Sequence, residues 1–197
     1  GAAHAAPARL RLDPESYGSA SLRVLLGTED DPLGGFVPPE LRARFAAAGR
    51  GIIDACARAW PAPLGADDAR IHGDCHLGNL LAGSSGFFFL DFDDFLHGPA
   101  VQDLWLLAPG RDDDADRQRA LLVDGYQQMR DFDRGSLRLV EPLRALRILR
   151  YAAWIAQRWR DPAFQRAFPD WDEAKSWHRE VAEMEQQRVR VEEALRR

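Results

Sequence analysis

Residues 71–79 read Ile71-His72-Gly73-Asp74-Cys75-His76-Leu77-Gly78-Asn79, and twelve residues past Asn79 stands Asp91, in the run Leu90-Asp91-Phe92-Asp93-Asp94. A carboxylate, four intervening residues and an amide form a set suited to phosphoryl transfer. That reaction needs little covalent help from the protein. It needs a carboxylate to orient an attacking hydroxyl and accept its proton, and oxygen ligands that hold Mg2+ against the phosphates. Asp74 and Asn79 can do both jobs, and a hairpin that returns Asp91 beside Asn79 would complete the cation site.

Other readings of these residues stay open. Asp and Asn favour turns, so Asp74 or Asn79 alone reads as a turn residue. Asp91, Asp93 and Asp94 could be a solvated acidic turn, but Asp91 directly ends the apolar run Phe87–Leu90, where clustered like charges are costly without a cation. Asp93 is then a further metal ligand or only a neighbour. His72 and His76 flank Asp74 in a His-x-Asp-x-His pattern that could hold a transition metal for a phosphohydrolase; packing and hydrogen bonding that shape the loop are the plainer role for His72. Cys75 lacks the base and orienter that would make it a nucleophile.

These side chains need elements to hold them. Residues 1–37 read as loop-rich, with Pro7, Pro14, Pro32, Gly34 and Gly35 breaking any long period. Pro38-Pro39-Glu40 opens a helix whose apolar residues, Leu41 to Cys56, recur every three or four positions; it runs to about Ala59 and is stopped by Pro61 and Pro63. Residues 69–72 suggest a short strand. Residues 79–82 and 87–91 are apolar runs joined by Gly83-Ser84-Ser85-Gly86, a hairpin. Past Pro99 the chain reads as helical: 101–108, a helix from the acidic caps Asp112–Asp114 to about Arg130, a long helix over 136–160, and a last one from Asp170 to about Ala194. Trp154, Trp159, Trp171 and Trp177 are expected in helix packing, and Val181, Met184, Arg188, Val191 and Leu195 form an imperfect stripe expected to dock on the body. The fold class is mainly α with one small β-hairpin, and the hairpin lies where the motifs are.

Composition narrows the partners. At 197 residues, 46% hydrophobic and 29% charged, the chain can bury a sizeable core as a soluble domain. A net charge of −5 argues against nucleic acid, which calls for clustered excess Lys and Arg. Cys56 and Cys75 do not make a disulfide framework, which points to free thiols in the cytoplasm. No apolar run reaches the ~18 residues that span a bilayer. Gly1-Ala2-Ala3-His4 has no basic or apolar leader pattern and no initiating Met, so the chain is expected to be a piece of a longer one.

Taken together, His72-Gly73-Asp74-Cys75-His76-Leu77-Gly78-Asn79, Phe89-Leu90-Asp91-Phe92-Asp93-Asp94 and Gly98-Pro99-Ala100-Val101-Gln102-Asp103-Leu104-Trp105 resemble the aminoglycoside phosphotransferase/choline kinase superfamily. The Asp-x-x-x-x-Asn spacing is also that of protein-kinase catalytic loops. The acidic triplet, the Gln102-Asp103-Leu104-Trp105 run and Arg11 to Tyr17 resemble most the bacterial stress-response Ser/Thr protein kinases. The resemblance implies the C-terminal lobe of a protein-kinase-like fold, with a post-hinge segment at 1–37 and a helical lobe at 38–197 carrying the catalytic loop (71–82) and the metal-binding hairpin (87–94). It implies Asp74 as catalytic base, Asn79 and Asp91 as Mg2+ ligands, Leu81 under the adenine of ATP, and Asp103 as the acceptor that steadies the loop through backbone N–H groups.

Such an enzyme also needs a strand lysine and a loop over the phosphates. Lys175, the sole lysine, lies in the last predicted helix, and no Gly-rich strand–turn–strand precedes residue 38. The expectation is therefore a catalytic half without its N-lobe, inactive alone, and prone to self-association through the apolar face that the N-lobe would cover. The phosphoacceptor is expected to be Ser/Thr of proteins. Alternatives are a small alcohol (choline, homoserine or an aminoglycoside), a metal-dependent phosphohydrolase, or a non-catalytic pseudokinase-like module.

Overall fold

The structure, a computed structural model, describes residues 11–27, 35–60 and 68–196. In chain order its elements are α1 (Pro14–Leu26), α2 (Arg42–Ala59), β1 (Asp68–Ile71), β2 (Leu80–Gly83), β3 (Gly86–Phe89), β4 (Leu96–Pro99), α3 (Val101–Leu107), α4 (Asp113–Gln127), α5 (Val140–Arg158), α6 (Pro162–Ala167) and α7 (Ala174–Ala194). They fall into two compact units, one of Gly1–Leu12 with Pro61–Val140 and one of Asp13–Trp60 with Glu141–Arg197. The fold is mainly helical with a small antiparallel hairpin, as the sequence predicts.

The first of these units holds the chemistry-bearing motifs. Strands β1 and β4 pair antiparallel, from Asp68 opposite Pro99 to Ile71 opposite Leu96. Arg11 bridges to His97, and the Leu12 N–H donates to the His97 carbonyl at 2.7 Å. The sequence reading missed β4, because Gly98 and Pro99 look like strand breakers; Pro99 is tolerated at the strand's last position, where no ladder need continue. Strands β2 and β3 form the expected hairpin, with Leu81 opposite Phe88 and a two-residue turn, Ser84-Ser85. Helix α3 follows β4 directly and buries Val101, Leu104 and Trp105. Asp112 caps α4, accepting the Ala115 N–H at 2.9 Å, and Asp113, Asp114 and Asp116 place negative charge on its first turn.

The other unit is helical. Asp13 caps α1 by accepting the Ser16 N–H at 2.9 Å, with Pro14 at the first helical position. This corrects the loop-rich expectation for residues 1–37: a proline at that position gives up an N–H that the helix would not have used. Residues 1–10 and 28–34 of that segment, and Pro61 and Pro63, lie outside the described residues. α1 and α2 pack closely. A Cβ at Gly18 would stand 2.3 Å from Cγ1 of Ile53, and one at Gly49 would stand 2.4 Å from Cδ2 of Leu22. α2 ends where Trp60 turns extended ahead of Pro61.

Two other boundaries differ from the periodicity. Asp133 folds a 3-10 turn over Arg134–Leu139, accepting the Gly135 N–H at 2.8 Å, so α5 starts at Val140. Asp170, expected as the cap of the last helix, instead has φ 65 and turns the chain, and Glu173 takes the cap position. Short α6, also missed, is capped by Asp161. Helix α7 buries Trp177, Val181, Met184 and Val191 in a core shared with Phe45, Ile52 and Leu149, and Trp177 meets Phe45 edge-on at 5.7 Å. Of the expected stripe, Leu195 stays exposed, and fully buried Gln187 joins instead, its amide donating to the Glu141 carbonyl at 3.0 Å and carboxylate at 2.7 Å.

Candidate active site

The loop after β1 is held from behind by α3. Asp103, on the first turn of α3, accepts the His72 N–H at 2.7 Å and the Gly73 N–H at 2.9 Å, one on each carboxylate oxygen. Burial pushes the Asp103 carboxyl up from its ordinary range, against the pull of those two backbone donors. Its neighbour Gln102 donates to the Gly73 carbonyl at 2.9 Å and accepts the Trp105 indole N–H at 3.1 Å. Two adjacent side chains of one helix thus secure both faces of the 72–73 peptide region. Gln102 is a supporting residue that sequence reasoning missed; its place beside Asp103 in the motif run was the available signal.

His72 ties the loop to the strand that carries Asp91. It is buried, with its Nε2 2.8 Å from the Leu90 carbonyl and its Nδ1 3.4 Å from the Asp74 N–H. One tautomer satisfies both contacts: Nε2–H donates and Nδ1 accepts. Its ring also packs on Phe92, with 4.7 Å between centroids. Phe92 in turn meets Phe95 at 5.2 Å, and Arg70 covers Phe95 at 4.5 Å.

Asn79 completes the circuit. Its side-chain amide donates to the Asp74 carbonyl at 3.0 Å, and its own carbonyl accepts the Leu90 N–H at 2.9 Å. Asp74, Asn79 and Asp91 therefore sit on backbone joined by hydrogen bonds within one unit. Asp74 and Asn79 are half-buried and Asp91 is exposed. Asp91 has φ 59, a left-handed conformation uncommon outside glycine and tolerated best by asparagine and aspartate, and it falls in the middle of the site. Asp93, also exposed, lies in a turn closed by the Phe95 N–H on the Phe92 carbonyl at 3.3 Å.

The donor set suits a hard cation. With its nitrogen committed to Asp74, Asn79 keeps the amide oxygen as the atom it can offer, and Asp91 adds carboxylate oxygens. Among the described residues no three His, Cys, Asp or Glu side chains make a group that could hold a metal ion. Mg2+ does not require one, since it is usually held by one or two protein oxygens together with substrate phosphates and water. The His-x-Asp-x-His metal reading fits poorly: both His72 nitrogens have backbone partners, and His76 Nδ1 accepts the Gly78 N–H at 3.0 Å. Cys75 is buried between them, and burial, with Asp103 and Asp74 adding repulsion, pushes its thiol up to about 12.

Leu81 is 55% exposed, and it belongs to an apolar surface with Leu77, Phe87, Phe88, Phe89 and Leu90. So many exposed large side chains on one hairpin and its flanks exceed what a solvated face needs. Lys175 lies on α7 and is ion-paired to Glu173 at 2.8 Å and Asp170 at 3.1 Å.

A profile of the phosphotransferase enzyme family matches residues 1–140. Stress response kinase A of Escherichia coli strain K12 is 39% identical over 160 residues, which is 81% of this chain and 48% of that protein. A Salmonella typhimurium protein named Serine/threonine protein kinase RdoA is 37% identical over 145 residues, 74% of this chain and 43% of its own length. The chain spans about half the length of the curated relatives it matches. Among solved structures, amicoumacin kinase hAmiN in complex with AMP-PNP, Ca2+ and Ami is similar in fold, with a TM-score of 0.58 at 17% identity, over 93% of this chain and 63% of that one.

Proposed function

The chain belongs to the phosphotransferase enzyme family, and on that premise we propose that it is the catalytic, Mg2+-binding lobe of an ATP-dependent kinase of the stress-response Ser/Thr type. The observation that carries the reading is the closed circuit of His72, Asn79 and Asp103. It ties the backbone of Asp74, Asn79 and Asp91 into one register.

In this reading Asp74 orients the acceptor hydroxyl and takes its proton as the oxygen attacks the γ-phosphorus of ATP, whose bond to the β,γ-bridging oxygen breaks to release ADP. Asn79 and Asp91 hold Mg2+, which when bound neutralises charge on the phosphate oxygens. Asp93 stands close enough in sequence to add a ligand from the same turn. Leu81, on the exposed hairpin, supplies an apolar surface for the adenine. Asp103, Gln102 and His72 keep the loop fixed, so that little reorganisation accompanies the chemistry. The name of one relative, Serine/threonine protein kinase RdoA, favours a protein Ser/Thr acceptor over a small alcohol, and the free thiols Cys56 and Cys75 suit a reducing, cytoplasmic setting.

The apolar hairpin supports a second part of the reading: a further lobe of the kinase covers this face and supplies the phosphate-gripping lysine, a role that Lys175 in its ion pairs on α7 does not fill. Residues 1–197 alone then transfer little or no phosphate, and self-associate through the uncovered face.

The test uses the full-length gene product with γ-labelled ATP, against panels of Ser/Thr proteins and of small alcohols. Label is expected on protein Ser/Thr, and Asp74→Asn is expected to lower kcat by about 10²–10⁴-fold with unchanged circular dichroism. Transfer that survives both Asp74→Asn and Asp91→Asn would place the chemistry elsewhere. Label confined to a small alcohol would replace the protein-kinase reading, and robust transfer by residues 1–197 alone would remove the need for a second lobe.

A further inference from the structure

We propose that His76 is a positioning residue for Asp74: its Nε2–H fixes the rotation of the catalytic carboxylate. The inference rests on the reading of Asp74 as the proton acceptor.

The geometry starts with the backbone. The His76 N–H donates to the Asp74 carbonyl at 3.0 Å, a γ-turn around Cys75. That turn sends Cys75 into the protein and brings the side chains of 74 and 76 to the same side, where both are partly exposed. His76 Nε2 then lies 3.5 Å from Asp74 Oδ2.

The far side of the ring decides where its hydrogen is. Nδ1 accepts the Gly78 N–H at 3.0 Å, so Nδ1 carries no proton. A ring with one N–H must carry it on Nε2, the nitrogen that lies 3.5 Å from Asp74 Oδ2. Residue 78 has to be small for this. A Cβ there would stand 2.8 Å from Cε1 and 2.9 Å from Nδ1 of His76, and would push the ring off its seat.

The chemistry follows from those contacts. A donor on Oδ2 restrains rotation of the carboxylate about its last bond and so helps to set where the other oxygen stands. At 3.5 Å the contact is long for a hydrogen bond, and such contacts tighten when substrates engage. Misplacing a reacting group by about 1 Å can cost on the order of a hundredfold in rate.

Two near-isosteric substitutions separate the ring's two jobs. His76→Asn keeps an acceptor for the Gly78 N–H and loses the donor to Asp74. His76→Gln keeps a donor near the place of Nε2 and loses the acceptor. In the full-length gene product, His76→Asn is expected to lower kcat about 10- to 100-fold with KM for ATP and acceptor within about twofold, and His76→Gln to recover most of the loss. Nitrogen-15 spectra of the ring are expected to show the Nε2–H tautomer, with the Nε2 proton moving in Asp74→Ala. Wild-type kcat in His76→Asn, equal losses in both variants, or a proton on Nδ1 would each overturn the inference. An Asp74→Asn control in the same assay separates the failures. If it stays active, the Asp74 reading falls and takes this inference with it; if it is dead while His76→Asn is not, only the role of His76 falls.

Discussion

Gly73 lies directly against the backbone of Asp94: a Cβ at residue 73 would stand 2.3 Å from the Asp94 carbonyl oxygen. The same glycine has φ 87, a conformation that side chains avoid. Its N–H and carbonyl are both taken, by Asp103 and Gln102. The 72–79 loop and the acidic turn can approach this closely only because residue 73 has no side chain. Gly73→Ala is therefore expected to lose about 3 kcal/mol or more, since the clash is with backbone and cannot be relieved by a rotamer change. Urea denaturation measures it. A midpoint equal to wild type would mean that the loop and the turn part easily.

The candidate motif is legible because its parts are local: the Asp74–Asn79 spacing and the hairpin lie within one stretch of chain, and the structure joins them by hydrogen bonds. What holds the motif was less legible. Gln102 acts through a side-chain bond to a carbonyl some thirty residues earlier in sequence, and no periodicity encodes that. β4 exists because β1 and Arg11 pair with it, so Gly98 and Pro99 misled as punctuation. α1 is hidden for a different reason. Pro14 taken alone reads as a breaker, although an acidic cap such as Asp13 followed by proline is a start signal. The exposed phenylalanines of β3 could not be told from buried ones, since alternation is lost when both faces are apolar.

Both thiols are expected to be silent in the native protein. Cys56 is fully buried, with Sγ 3.4 Å from the Pro142 carbonyl, and burial pushes it up to about 12. Cys75 is also pushed up to about 12, by burial first and then by Asp103 and Asp74. At pH 8 a thiol with such a pKa is thiolate only at a level on the order of one part in ten thousand. A chromogenic disulfide should label neither in folded protein and both in urea. Fast native labelling of Cys75 alone would show that the 72–79 loop opens readily.

The α1–α2 crossing offers a test of packing. In Gly18→Ala the new methyl would meet Ile53 Cγ1 at 2.3 Å and Cδ1 at 2.7 Å, whereas Ile53 Cβ stands at 3.5 Å. Ile53→Ala removes the two clashing atoms and leaves the tolerable one. Each single substitution should destabilise, Ile53→Ala by about 2–5 kcal/mol and Gly18→Ala by about 1–3 kcal/mol. The double variant should be better than their sum by about 1–2 kcal/mol. Strict additivity in a denaturant cycle would mean that the helices shift apart instead of repacking.

Glu180, half-buried on α7, gives the fold a pH dependence of its own. Burial first, then Glu183 one turn away, raise its carboxyl from 4.5 to about 7, with Arg179 opposing. A carboxyl raised by folding binds its proton more tightly in the native than in the unfolded state. The native state then carries the extra proton between the two values, so stability falls as pH rises from about 4.5 to about 7 and is level beyond. Glu180→Gln removes the charge and keeps the shape. It should leave stability at pH 4 nearly unchanged and raise it at pH 8 by about 1–2 kcal/mol, a figure reduced for the solvent that still reaches the carboxylate. Urea midpoints of both proteins across that range decide it. The two curves should meet at low pH and separate above 5, and parallel curves would mean that the carboxylate is solvated in the native state as it is in the unfolded chain.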